Sequence, residues 1–357
     1  MANIFDYLND VAYDSFYDLP VNELDVLALT ELTYLPFDDV IAQEPKPLID
    51  LAPQIPRETT MLTNKNRLQL LDQLSQHKRF KNCKLSDFIN DIDPELQKQF
   101  AAMTYRISLD TYLLVFRGTD DSIIGWKEDF HMTYMKEIPA QKHALQYLQD
   151  FFAQHPNQKV VIAGHSKGGN LAVYAASQLD PLLQKNIAAV YTFDAPGLHK
   201  ELTETAGYQN MMERTKVFVP QGSIIGMMLE IPDKKIVVRS TALGGLAQHD
   251  TFSWQIEDKH FVQLDETNSD SQQVDTTFKE WVETVPDEEL QLYFDLFFGI
   301  ILDAGISSIN DLSSFKVIEH IHHLFVQAQS LTPEERETMG RLTQLLIDTR
   351  YQAWKNR

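Results

Sequence analysis

The chain has 357 residues, 43% of them hydrophobic, enough to bury the core of one large domain or two ordinary ones. Fifty-one acidic against thirty-one basic side chains give a formal charge of −20, which argues against a general attraction to nucleic acid or to anionic membrane surfaces. Met1 to Asp14 has neither the basic start nor the apolar run of a secretory signal, and the single cysteine, Cys83, cannot form an intramolecular disulfide, so a cytoplasmic protein is expected.

Leu24, Leu27, Ala28 and Leu35 fall at helical spacing behind a capped start at Asn22 to Asp25. Pro45, Pro47, Pro53 and Pro56 then deny their stretch a regular helix and predict an extended connector. Asn66–Gln76 and Lys84–Phe100 read as helices. Met103–Leu109 and Tyr112–Phe116 flank Asp110 and Thr111 like a hairpin. Lys159–Ala163 reads as a strand buried on both faces. From there helix and strand alternate: a helix over Gly168–Leu179, then strands over Ile187–Phe193, Lys216–Pro220 and Lys235–Ser240. Such alternation predicts an α/β layer architecture.

Beyond about Asp270 only helices are evident. The longest apolar run, Leu292–Leu302, is interrupted by Asp295 and Gly299 and reads as a core helix, so no stable membrane insertion is expected. Leu290, Tyr293, Phe294, Phe297 and Ile301 make its apolar face, and Thr332, Pro333, Glu334 and Glu335 start a last helix with a capping box. The expected organisation is a helical and extended N-terminal extension over 1–100, an α/β core over 101–265, and a helical C-terminal extension over 266–357 packing on it.

The pattern Gly164, His165, Ser166, Lys167, Gly168, Gly169 carries the chemistry. It matches G-x-S-x-G directly between a buried-type strand and a helix, the context of a nucleophile elbow. The serine sits on a turn so tight that side chains two positions either side would collide, hence Gly164 and Gly168. The helix that follows directs the N–H of Lys167 towards an oxyanion.

With this elbow, the segment Val115, Phe116, Arg117, Gly118, Thr119, Asp120 resembles class 3 lipases, the fungal triacylglycerol lipase type. Within that superfamily the chain is similar to a bacterial group of lipase-like proteins with no assigned substrate. The resemblance covers roughly Phe100 to Phe261 and implies an α/β-hydrolase fold, with a central, mostly parallel sheet and flanking helices. It further implies that Thr119, after Gly118, gives its backbone N–H and hydroxyl to the oxyanion, and that Trp126 and Asp129 brace this loop. Arg117 reads as a structural ion pair at the sheet edge.

The base follows the serine in the chain. His249, in a loop after the last strand-like segment, is chosen over His199 and His260, and over His320, His322 and His323, which read as a solvated helix face. For the acid, Ser223 stands where the family usually carries aspartate. Asp194, at the end of the strand expected beside the elbow strand, is favoured, with anchoring of the turn at Pro196 and Gly197 as its rival role. Asp250 and Glu230 are outside candidates.

The expected activity is acyl-ester hydrolysis through an acyl-enzyme on Ser166, requiring no metal or organic cofactor. The substrate is a small or lipid-like ester, its apolar part met by Leu198, Met211, Met212, Met227 and Met228. The alternative is an inactive α/β-hydrolase serving as an interaction module. Oligomeric state is left open.

Overall fold

The computed structural model describes residues 2–41, 44–58, 64–120, 122–232, 234–306 and 327–355. A nine-stranded sheet runs in the order β1-β2-β3-β4-β5-β6-β7-β8-β11. Its strands are β1 (Lys46–Pro47), β2 (Lys84–Asp93), β3 (Lys98–Arg106), β4 (Tyr112–Phe116), β5 (Val160–His165), β6 (Ile187–Phe193), β7 (Thr215–Pro220), β8 (Lys235–Val238) and β11 (Gln263–Leu264). The block β4 to β8 is parallel, flanked by antiparallel pairs on both sides. A separate ribbon pairs β9 (Ile256–Glu257) with β10 (His260–Phe261).

Besides single helical turns such as Leu48–Leu51 and Lys200–Thr203, the helices are α1 (Ile4–Asp10), α2 (Glu23–Leu32), α3 (Asn64–Gln76), α4 (Ile123–His131), α5 (Pro139–Gln154), α6 (Lys167–Gln178), α7 (Ala206–Met212), α8 (Ser269–Thr284), α9 (Asp287–Asp303) and α10 (Pro333–Lys355). They cover both faces of the sheet, which is why its central strands are continuously apolar rather than alternating. Along β4, Leu113 and Val115 join a core with Leu27, Leu70 and Leu8 of the first three helices. Leu114 and Phe116 join Leu148, Phe152, Leu171 and Ala175 of α5 and α6 on the other side. Each of these leucine, valine and phenylalanine side chains, fully buried, stabilises the fold by roughly 1.5–3 kcal/mol. This is the α/β layer architecture expected from the alternation of elements, with the mostly parallel central sheet and flanking helices that the resemblance implies.

The N-terminal region departs from expectation. The helices before residue 77 supply one of the two layers that cover the sheet, and the sheet already begins with β1 and β2. Lys84–Phe100, read as a helix, is β2, a turn and the start of β3. Pro94 lies in its middle and cannot continue a helix, while Asp93 Oδ1 accepts from the N–H groups of Glu95 and Leu96 to close the turn. β2 looks helical because it is a polar, half-covered strand whose register slips between Ser86 and Ile89. The proline-rich stretch is not wholly extended either, since Leu48–Leu51 makes one helical turn.

The C-terminal helices form a third cluster. Trp281 of α8 and Leu290, Phe294 and Phe298 of α9 close on Ile123, Trp126 and Phe130 of α4. The apolar stripe runs at i, i+4, i+8, so Phe298 is buried and Phe297, expected on that face, is 42% exposed. The capping box of α10 forms as expected, with Thr332 N donating to Glu335 Oε2 and Glu335 N to Thr332 Oγ1.

Candidate active site

The turn from β5 into α6 puts Ser166 at φ +56°, ψ −136°, in the left-handed half of the map that an L-residue enters only at a cost of order 1–3 kcal/mol. The surrounding glycines permit it: a Cβ on Gly164 would strike the Gly168 carbonyl, and one on Gly168 the Phe116 carbonyl. Ser166 N donates to Phe193 O at 3.0 Å, so the elbow is pinned to the neighbouring strand.

Asp194 follows directly on β6 and is itself at φ +44°. It is fully buried, with Oδ2 2.6 Å from His249 Nδ1. Its other oxygen, Oδ1, accepts from Ser223 Oγ and, at 3.1 Å, from Gly226 N. Ser223 therefore does not replace the carboxylate; it donates to one that arrives from the adjacent strand end. His249 closes a short turn after β8, and its loop is tied down by Trp254 Nε1, which donates to Gln248 O at 2.8 Å, and by Thr251 Oγ1, which donates to Glu31 Oε1 at 2.8 Å. The His249 ring lies 4.5 Å from that of His165, the residue before Ser166. Ser166 Oγ has no hydrogen-bond partner among the described residues.

On the other side of Ser166, Gly118 approaches so closely that an added Cβ would meet Ser166 Cβ at 2.9 Å. Gly118 N is taken by Tyr34 Oη at 3.0 Å. No protein acceptor among the described residues takes the N–H of Thr119 or of Lys167. Thr119 Oγ1 donates to Asp129 Oδ2 at 2.6 Å, which commits its proton to the carboxylate and leaves the backbone N–H as its donor. The Lys167 ammonium points inward, fully buried, to Gln99 O (2.9 Å), Gln99 Oε1 (2.8 Å), Glu128 Oε2 (2.9 Å) and, at 3.7 Å, Asp129 Oδ1. Arg117 bonds Asn90 and pairs with Asp120 at 3.7 Å, a structural contact.

Ser166 opens into a cavity of only about 20 Å³ lined by Trp126, Asp129, Phe130, Met228 and Leu229 among others. That holds a water molecule, not an acyl chain. Leu229, at φ +62°, also walls a groove of about 370 Å³ between Leu198, Phe278 and Val282. Of the other residues expected around the apolar part of a substrate, Met227 is buried, Met212 packs beside Tyr174, and Met211 belongs to the core under α6, not to the mouth.

The remaining histidines and acids lie elsewhere. His199 caps a short helix, His260 meets Glu23 at 2.6 Å on the ribbon, and Asp250 caps the turn at Phe252. Glu230 pairs its backbone with Leu198. His320, His322 and His323 lie outside the described residues, among which no group of three or more potential ligands could hold a metal ion.

Three buried groups near the site make stability depend on pH. Burial, followed by the neighbouring His249, pushes His165 from 6.5 to about 4, and burial, followed by Lys127, does the same to His131. Both are neutral when folded and protonated when unfolded between those values, so stability is lost as pH falls from 6.5 towards 4. Burial raises Asp129 to about 6 against the pull of Lys167, and this works in the opposite sense over the same window. Each histidine by itself contributes a loss of about 1.4 kcal/mol per pH unit of acidification where only the unfolded chain carries its proton. His131→Gln should remove a slope of that size, measured by urea unfolding between pH 6 and pH 4.5; an unchanged slope would contradict this.

A family model described as Mbeg1-like matches residues 74–299. No curated protein matches. Among solved structures, the chain is similar to a mono- and diacylglycerol lipase from Aspergillus oryzae, at 16% identity over 69% of this chain and 87% of that one, with a TM-score of 0.42. Against the Rhizomucor miehei lipase propeptide complex the figures are 18%, 48%, 59% and 0.33, and against M37 lipase 15%, 57%, 67% and 0.36. The chain thus spans under two thirds of the Rhizomucor protein's length. Among the described residues, no helix is long and apolar enough to cross a membrane.

Proposed function

We propose that this chain, which belongs to the lipase-like Mbeg1-like family, is a serine hydrolase that cleaves a carboxylic ester through an acyl-enzyme on Ser166. The observation that carries the proposal is the buried Asp194 carboxylate 2.6 Å from His249 Nδ1, beside an elbow that forces Ser166 to positive φ. An aspartate so placed holds the imidazole with its proton on Nδ1, leaving Nε2 to accept.

His249 takes the Ser166 proton as Oγ attacks the ester carbonyl, and the backbone N–H groups of Thr119 and Lys167 receive the developing oxyanion. The tetrahedral adduct expels an alcohol, which leaves with the proton from His249. Water then attacks the acyl-enzyme with the roles repeated, releasing the acid and restoring Ser166. Gly118, His165, Trp126 and Asp129 are supporting residues.

The small cavity above Ser166 means that admitting an acyl chain requires its apolar wall to move. Leu229 is the side chain common to that cavity and the larger groove. Its positive φ is native to glycine, so Leu229→Gly can open the wall with little backbone cost. The ratio of octanoate to acetate p-nitrophenyl ester hydrolysis is expected to rise roughly tenfold in this variant. An unchanged ratio would place the acyl chain elsewhere.

The same small cavity favours a second reading, a catalytically silent interaction module. A fluorophosphonate probe, which needs an activated serine, separates the two: modification of Ser166 supports the hydrolase, and a folded protein that does not react supports the module.

A further inference from the structure

We infer that Tyr34 is a positioning residue of this site, tying the oxyanion loop, the elbow and the base loop together through one directed hydrogen-bond chain. The inference rests on the serine-hydrolase reading. Tyr34 follows α2, outside the residues 74–299 matched by the family model. Its ring lies 3.9 Å from the Arg67 guanidinium, which in turn pairs with Glu31 at 2.9 Å.

Tyr34 Oη is 3.0 Å from Gly118 N and 3.0 Å from His165 Nδ1, and His165 Nε2 is 3.1 Å from the carbonyl oxygen of His249. A carbonyl only accepts, so His165 Nε2 carries the hydrogen. In the neutral ring Nδ1 is then the acceptor, so Tyr34 must donate to it, and the Tyr34 oxygen accepts from Gly118 N–H. The Tyr34 hydroxyl also passes 3.4 Å from the His165 carbonyl oxygen, the longer of its two acceptor contacts. Burial pushes His165 down to about 4 and, with Glu31 adding to it, pushes the Tyr34 phenol well up, so neither changes protonation near neutral pH.

The consequences reach three loops. Gly118 N–H is drawn away from Ser166, which leaves Thr119 and Lys167 as the oxyanion donors. The His249 backbone is held by His165 while its side chain is held by Asp194. Thr251, two residues on, is held by Glu31 of the same helix that leads into Tyr34. Burial opposes the Glu31 charge, but the Arg67 guanidinium and the Thr251 hydroxyl hold its carboxyl below its ordinary value.

Tyr34→Phe keeps the ring beneath Arg67 and removes a single oxygen, with Thr33→Val, whose hydroxyl meets Tyr105 instead, as the control. Fluorophosphonate modification of Ser166 should slow at least about tenfold in Tyr34→Phe, with the melting temperature within about 5 °C of wild type and the control unaffected. Nitrogen-15 NMR should find His165 protonated on Nε2 in the wild type and a tautomer mixture in Tyr34→Phe, a change that a merely structural role would not produce. A variant reacting within about twofold of wild type, or a wild-type His165 protonated on Nδ1, would overturn the inference. A wild type that reacts nowhere would instead contradict the hydrolase reading, and the His165 tautomer would decide the chain separately.

Discussion

Asp194→Asn is expected to lower the rate of Ser166 acylation about 10⁴-fold while leaving the fold intact. The direction follows from what surrounds the carboxylate. Oδ1 accepts from Ser223 Oγ and Gly226 N, so an amide in its place must put its oxygen there. Its NH₂ then faces His249 Nδ1, which has to become the acceptor. The ring proton moves to Nε2, the nitrogen that should take the proton from Ser166, and the base is lost by tautomer rather than by displacement. Burst kinetics with an activated ester would measure the effect. A loss under about tenfold would mean that Asp194 serves only to anchor the turn at Pro196 and Gly197.

Lys167→Met is expected to cost about 3–5 kcal/mol of stability, since it strands buried carboxylates. The ammonium satisfies Glu128 Oε2 and lies 3.7 Å from Asp129 Oδ1, which has no hydrogen-bond partner of its own. Glu128 also orders the region through its other contacts, accepting from Gln99 N and Ala140 N. Urea unfolding measures the loss, and the double variant Lys167→Met with Glu128→Gln should recover part of it, because one stranded charge is then removed. Equal stability of Lys167→Met and wild type would show that these carboxylates are neutral in the folded protein. Lys167 thus has two separable parts, a backbone N–H that no protein acceptor among the described residues takes and a side chain that fixes the loop carrying Thr119 and Asp129.

The site's local pieces are legible in the sequence because local sterics and hydropathy create them. Gly164 is required by a backbone contact within the turn, to Gly168, whereas Gly168 itself meets the distant Phe116 carbonyl and is legible only through the spacing of the motif; Ile187–Phe193 reads as a strand because it is buried along most of its length. Asp194 could be picked out by its place at the end of that strand, although Ser223 occupies the family's usual position; only the fold shows that one donates to the other. Tyr34, Glu31 and Arg67 could not be picked out. Their partners lie 84, 220 and 36 residues away, and nothing in a helix written L-x-x-L-A indicates that its far end carries a hydroxyl to Gly118. β2 is hard to read for a related reason: a half-exposed strand, covered on its outer side only by the two-residue β1, lacks the continuous apolar run that marks β5, and the one clear signal is Pro94 directly after it.

The most direct test of the account is to treat the purified protein with a fluorophosphonate probe and locate the modified residue by mass spectrometry, with Ser166→Ala and His249→Ala alongside. The account predicts a single modification on Ser166, absent from both variants. Modification at another residue, or none on a folded wild-type protein, would contradict it.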